Sequence, residues 1–350
     1  MTTGIVLLNF GEPAVTEESV VHEYLTRIFY TNADLEDPES EEAAWERARE
    51  LAGRRLPGLL EEYEAIGGSP LNDQAMAQQR ALESTIADRG YDVDVYHAMQ
   101  FVDPLIDDAA EALAEDDIET VVALPMYPLC GPSTTVMAID DLEEAIDSIE
   151  GYDPTLQAIT GWHRHPLYTR VRSDAIRSFA TGHGIDLHDP TTAMIFSAHG
   201  TPTKYLDAGS RYDTYVEEYC ATVAATVGIE EYHLGYQNHE SRDIEWTEPE
   251  VESLISSLPE TIERVVVEPT SFIHEQSETL SELDIDLAAD ADAAGLDFYR
   301  VPVPHDDPRF GQLFADLIEP FVAGFEPNYH QLRPCQCRAK PGTYCLNAPR

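Results

Sequence analysis

The chain has 350 residues, 43% of them apolar, enough for a large buried core and for two domains of ordinary size. Acidic residues outnumber basic ones 66 to 21, the formal charge is −45 at pH 7, and Lys204 and Lys340 are the only lysines. Nucleic acid and anionic membrane faces are thereby excluded as partners, since both need cations set against their phosphates.

The same charge balance suits a high-salt cytoplasm, where at about 1 M salt the screening length is only about 3 Å and hydrated carboxylates keep a protein dissolved. No basic, apolar leader opens the chain, and no apolar run approaches the ~20 residues that span a bilayer. The expected location is therefore cytoplasmic. Five cysteines make an odd number, which argues against a disulfide framework and for metal or redox roles.

In chain order, β-branched apolar runs predict strands at 5–10, 93–98, 121–125, 194–197, 232–236 and 265–267. Longer segments of helical period lie between them, at 74–86 and 105–113 for example. The acidic stretch 34–50 reads as a solvated helix face. This alternation predicts an α/β fold of two Rossmann-like domains, each a parallel sheet flanked by helices. The first domain is expected over 1–147 and the second over 148–307. An amphipathic segment at 308–325 is expected to pack back on the first half, and 326–350 forms a cysteine-containing extension.

Chemistry in such sheets gathers in loops beyond the carboxyl ends of strands. The loops that stand out are "NFGEP" (9–13), "PMYPLCGPSTT" (125–135), "SAHGTP" (197–202) and "YQNHESRDIEWTEP" (236–249), followed by the segment 268–286. His199 closes a strand between Ala198 and Gly200, small neighbours that leave room for something to approach the imidazole; the alternative is a strand-end histidine that packs locally. Ser197 lies two residues before it without the glycines of a nucleophile elbow, so a hydrolase triad is set aside. Glu275, Glu278 and Glu282 recur at helical spacing, stacking carboxylates on one face. Either protons or a hard cation visit that column, or it is a solvated face in an acidic chain.

Taken together, "LLNFGEP", "IGGSPL", "HAMQFVDPLIDDA", "YP" followed by "STT", "SAHGTP", "GSRYDTYVEE", "YQN" and "SFIHEQSETLSELDID" resemble ferrochelatases, in order and nearly to residue 325. The resemblance implies two Rossmann-like domains with a porphyrin cleft between them, a monomer or homodimer, and insertion of Fe2+ into a free-base porphyrin, either protoporphyrin IX or coproporphyrin III. His199 and Glu278 match the cleft histidine and the acid that face each other across the ring centre in that family. Two pyrrole protons must leave and the ion must shed water, and imidazole and carboxylate are each able to take a proton or ligate iron. His199 is favoured for proton abstraction, with Glu275, Glu282 and Asp286 as a relay for protons or iron. Porphyrin contacts are expected from Arg27, Tyr127, Ser133 and Thr134. Gln276 departs from the family's usual histidine, and Gln100 from a common arginine. A carrier that binds tetrapyrrole or metal without transforming it is the alternative.

Three of the five cysteines fall in the last sixteen residues, in "PCQCRAKPGTYC" (334–345). Some ferrochelatases hold a 2Fe-2S cluster with three cysteines of a terminal extension and one internal cysteine. The matching residues here are Cys335, Cys337, Cys345 and Cys130, although Cys130 lies two residues early in an ungapped match. Zinc and an exposed redox tail are the other readings. Cys220, inside a helical run, reads as a buried small hydrophobe.

Overall fold

The computed structural model describes residues 2–239, 242–326, 331–336, 338 and 340–346. In the first strand, β1 (Thr3–Asn9), Ile5, Val6, Leu7 and Leu8 are all fully buried. Ile5 and Leu7 face one helical layer and Val6 and Leu8 the other, so this strand is covered on both sides and reads as a continuous apolar run.

The elements follow in order as α1 (Glu18–Thr31), α2 (Glu41–Ile66), α3 (Leu71–Asp88), β2 (Asp94–Met99), α4 (Ile106–Glu115), β3 (Thr120–Pro125), a π-helical turn (Pro132–Val136), α5 (Met137–Asp147), β4 (Thr155–Ile159) and α6 (Pro166–His183). The second half runs through β5 (Thr192–His199), α7 (Thr203–Asp207), α8 (Tyr212–Val227), β6 (His233–Gln237), α9 (Val251–Ser257), β7 (Arg264–Pro269), a π-helix (Glu278–Leu287), α10 (Ala288–Ala293) and β8 (Asp297–Arg300). The chain then forms α11 (Arg309–Val322), β9 (Arg333–Pro334) and β10 (Thr343–Cys345).

Two sheets result, ordered β2-β1-β3-β4-β10-β9 and β6-β5-β7-β8. The first four strands of each repeat one topology, second-first-third-fourth, with parallel pairing throughout. In such an order the chain reverses direction of growth beside the first strand, and the crevice for a ligand opens there, at the carboxyl ends. The exits of β1, β3, β5 and β7 are therefore where a site is built. No helix among the described residues is long and apolar enough to cross a membrane.

Two sequence expectations change. A boundary at 147 cuts the first sheet short, because β4 pairs with β3 in register Thr120 to Thr155; its half-exposed "TLQAI" lacked the apolar density that marks the other strands. The cysteine-bearing extension also joins this sheet, which the sequence reading did not foresee. Its β10 pairs in parallel with β4, and β9 runs antiparallel to β10. The amphipathic α11 buries Phe310, Leu313, Phe314, Leu317 and Ile318 in the core that also holds Leu82 and Ile86 of α3. Gly311 permits this approach, since a Cβ there would lie 2.8 Å from the Ala81 carbonyl oxygen.

Candidate active site

The four strand exits and helix α1 enclose a cavity of about 250 Å³. It is lined by Tyr24, Leu25, Ile28 and Phe29 of α1, by Tyr127, Ser133 and Thr134 beyond β3, and by His199, His239, Glu278 and Glu282. His199 ends β5, with its backbone N–H donating to Ser271 Oγ at 3.0 Å and its carbonyl accepting the Tyr212 hydroxyl at 3.0 Å. The imidazole is thus carried on a fixed backbone. Glu278 opens the π-helix, a form frequent at functional sites.

His199 Nδ1 stands 3.2 Å from Glu278 Oε1, and His239 Nε2 reaches the same oxygen at 3.3 Å. The expectation that His199 and Glu278 face each other across a ring is thereby corrected: their side chains touch, so a macrocycle has no room between them and must meet both from the same side. The other carboxylate oxygen, Oε2, accepts the Gln276 amide at 3.0 Å. Gln237 Nε2 donates to both the Glu278 carbonyl, at 3.0 Å, and Glu282 Oε2, at 2.9 Å. Gly200 packs closely here: a Cβ there would fall 1.9 Å from Asn238 Oδ1 and 3.0 Å from the Gln237 carbonyl oxygen, so a larger residue would displace the Asn238 side chain next to His239.

Burial alone would raise the Glu278 carboxyl, but the His199 and His239 imidazoles outweigh it and hold it well below the usual carboxylate range. Glu282 moves the other way. Burial, reinforced by the Glu278 charge and opposed by His239, pushes it up to about 7. For His239, burial is overcome by Glu278 and Glu282, and its value rises to about 9. The cavity lining therefore presents an ionised carboxylate between two imidazoles, with a carboxyl that titrates near neutrality four residues on. Such a set takes a divalent cation, takes protons, or does both in turn.

The ferrochelatase family model matches residues 2–321. A ferrochelatase of Synechococcus sp. is 33% identical over 348 residues, 96% of this chain and 87% of its own length. One from Gloeobacter violaceus is 32% identical over 333 residues, 90% of this chain and 96% of its own. The chain belongs to the ferrochelatase family. It is accordingly an enzyme, a lyase that inserts iron into porphyrin in haem synthesis, and the carrier alternative is not favoured. Among solved structures, SirB from Bacillus subtilis with Fe3+ superposes with a TM-score of 0.52 at 9% identity, covering 93% of this chain and 97% of that one, a likeness of fold.

Of the residues expected in this ferrochelatase's site, His199, Glu278, Glu282, Tyr127, Ser133 and Thr134 line one cavity. Glu275 does not. Its carboxylate is taken by Arg300 at 2.6 Å, the Val303 backbone N–H at 2.8 Å and the Thr279 hydroxyl at 2.7 Å, because it precedes the π-helix and turns towards β8. Arg27 also lies off the cavity, bonded to Glu23 at 2.6 Å and to the Phe101 carbonyl at 3.1 Å. Asp286 sits further along the π-helix, exposed at the surface, with burial and Asp290 raising its carboxyl.

His239 and Glu12 were not singled out from sequence. The available sign for His239 was its place two residues beyond a strand whose neighbour carries His199. For Glu12 it was "NFGEP" itself, an acid beyond β1.

At the other edge of the first sheet, Cys335, just beyond β9, and Cys345, at the end of β10, pack together, buried. Buried Cys130 lies close enough to Cys335 to feel its charge, and burial pushes its thiol up to about 12. Arg338 donates its backbone N–H to Cys335 Sγ at 3.4 Å. This donor set suits an iron-sulfur group. Among the described residues, only His199, His239 and Glu278 bring three ligand atoms within 4.8 Å, so the three described sulfurs stand further apart than that. Cys337 lies outside the described residues. Cys220 is fully buried in the core against α8's neighbours.

Proposed function

We propose that His199 and Glu278 form the inner pair at which pyrrole protons leave and Fe2+ enters the ring, with Glu282 and Asp286 leading protons outward along the π-helix. The observation that carries this reading is that His199 and Glu278, 3.2 Å apart, line one cavity together with apolar residues of helix α1. A flat macrocycle held in that cavity would have its centre over the imidazole and carboxylate. Both groups would then reach the inner nitrogens directly. Glu275 is left out of the relay, since Arg300 engages it. The test is direct: under anaerobic conditions, protein, Fe2+ and free-base porphyrin give haem absorption faster than the uncatalysed control. His199→Ala abolishes the gain while porphyrin binding stays nearly intact, and unchanged turnover in that variant would refute the assignment.

The preferred ring is one with two carboxylates, protoporphyrin IX. Arg55 and Arg242 are the arginines on the cavity lining among the described residues, each already paired, with Glu62 and Glu36 at 2.7 Å, and the cationic His239 is engaged by Glu278 at 3.3 Å. Four propionates would lack partners. Coproporphyrin III turned over faster than protoporphyrin IX in parallel assays would reverse this.

Cys130, Cys335, Cys337 and Cys345 are the proposed ligands of a 2Fe-2S cluster, supported by the burial and proximity of the three described thiols. When bound, the cluster supplies iron-thiolate bonds that would staple the extension to the loop beyond β3, where Cys130 lies. Anaerobically purified protein should be reddish brown and lose visible absorption on Cys345→Ser; a colourless protein with one zinc per chain would favour zinc instead.

A further inference from the structure

Glu278 has two imidazoles against one oxygen, and only one of them was expected. His199 comes from the end of β5; His239 comes from the loop beyond β6, a separate element, and its Nε2 lies 3.3 Å from Glu278 Oε1 while His199 Nδ1 lies 3.2 Å from it. We infer that His239 is a third iron ligand, so that His199, His239 and Glu278 form a two-histidine, one-carboxylate site that receives Fe2+ before it enters the porphyrin.

Four observations carry this. One ligand atom from each residue lies within 4.8 Å of the others, close enough for a single ion to reach all three with little side-chain movement. Two imidazoles and a carboxylate with open positions are a donor set suited to ferrous iron, borderline between the hard and soft cations. The carboxylate is already divided between tasks, because the Gln276 amide holds Oε2 at 3.0 Å and leaves Oε1 towards the imidazoles. Finally, His239 has a carboxylate behind it, with Glu282 Oε1 3.9 Å from its Nδ1, the outer partner that commonly orients a ligating imidazole. Trp246 packs edge-on against both rings, with centroids 6.5 Å from His199 and 6.0 Å from His239.

The sequence offers a reason for a second imidazole at this place. Position 276, just before the π-helix, holds an amide whose Nε2 only donates to Glu278, and the second imidazole arrives from the loop beyond β6. The plainer alternative is that His239 is only a counter-charge for Glu278 and Glu282. The two roles respond differently to lysine, which keeps a positive charge and lacks the imidazole nitrogen.

The inference rests on the ferrochelatase reading, and its test is separable from it. Co2+ is titrated into the full chain without porphyrin, following the visible d–d bands. His239→Gln should weaken Co2+ binding about 10- to 100-fold, the scale found even for groups one shell behind a ligand, and should alter the band pattern. His239→Lys should not restore it. Quenching of porphyrin fluorescence, unchanged in both variants, reports that fold and cavity survive. Co2+ affinity and bands unaltered in His239→Gln, or recovered in His239→Lys, would overturn the ligand role while leaving iron insertion intact. Failure of the unsubstituted protein to make haem would instead bring down the reading beneath it.

Discussion

The Glu12 carboxylate accepts the backbone N–H of Ser277 at 3.2 Å, joining the loop beyond β1 to the residue that immediately precedes Glu278. Glu12 is 3% exposed and also accepts hydroxyls from Ser277, from Ser69 and, at 3.2 Å, from Tyr63. Those donors belong to α2, to the turn before α3 and to the start of the π-helix, so one buried side chain ties the two halves together beside the site.

Glu12→Ala should therefore do two things. It leaves a buried N–H without an acceptor, which costs about 1–3 kcal/mol, and it loosens the turn that aims Glu278. Both the thermal midpoint and kcat should fall, with Glu12→Gln milder because its amide oxygen still accepts from Ser277. A variant with unaltered melting and turnover would deny Glu12 this role.

Much of the fold was legible because the signals were local and strong. The run "GIVLLN" has to be a doubly covered strand, and the strings beyond β1, β3 and β5 name the cavity's walls. What escaped depended on contacts between distant residues. β4 is a strand because β3 on one side and the extension on the other pair with it, and its own half-exposed residues carry little signal. Glu275 sits at helical spacing from Glu278 and Glu282, which suggested one column, but Arg300, 25 residues on, draws it away. His239 could not be joined to His199 without knowing that their loops touch at Gly200.

Arg172 and Glu268 make a buried ion pair, 1% and 0% exposed, between α6 and β7. Glu268 also accepts Tyr219 and Thr270 hydroxyls, at 2.8 and 2.9 Å. Arg172 donates further to the Pro269 and Phe272 carbonyls, at 2.8 and 2.9 Å, which brackets Ser271 and hence the backbone of His199. Removing one partner strands a charge in the interior. Arg172→Met should destabilise by about 3–5 kcal/mol in denaturant melts, and adding Glu268→Gln should recover part of that loss. A single variant as stable as the parent would show that the pair is dispensable.

Burial, and then the neighbouring carboxylates Glu144, Asp140 and Asp107, push the Asp141 carboxyl up to about 7. A carboxyl raised on folding stabilises fully below its unfolded value, near 3.8, and that contribution is lost as pH rises through about 7. Asp141→Asn, which has no proton to lose, should match the parent near pH 4 and melt higher at pH 8. Each tenfold displacement of a proton equilibrium is worth about 1.4 kcal/mol, so the gain is on the order of a few kcal/mol at low salt. Molar salt should shrink the part due to like charges. The same melting difference at pH 4 and pH 8 would assign the effect to packing.

Arg242 crosses the cavity mouth from the second half to the first. Its Nη2 donates to the Phe29 carbonyl at 2.6 Å and its Nη1 to Glu36 at 2.7 Å, while the guanidinium lies 5.7 Å from the Phe29 ring centroid. Lys204 makes a parallel crossing, to the Asp34 carbonyl at 2.7 Å and Asp37 at 2.9 Å, but its side chain is 49% exposed whereas Arg242's is 5%. Solvent screens the first and spares the second. Phe29 lines the cavity in which the proposed function places the ring; on that reading, releasing it weakens porphyrin binding in ground and transition states alike and leaves the insertion step untouched. Arg242→Met should raise the porphyrin KM about tenfold, equivalent to about 1.4 kcal/mol, with kcat nearly constant. Lys204→Ala should change KM less than about twofold, and less again in molar salt. Equal effects of the two substitutions would mean that net charge at the mouth, rather than the buried bond to Phe29, governs access to the ring site.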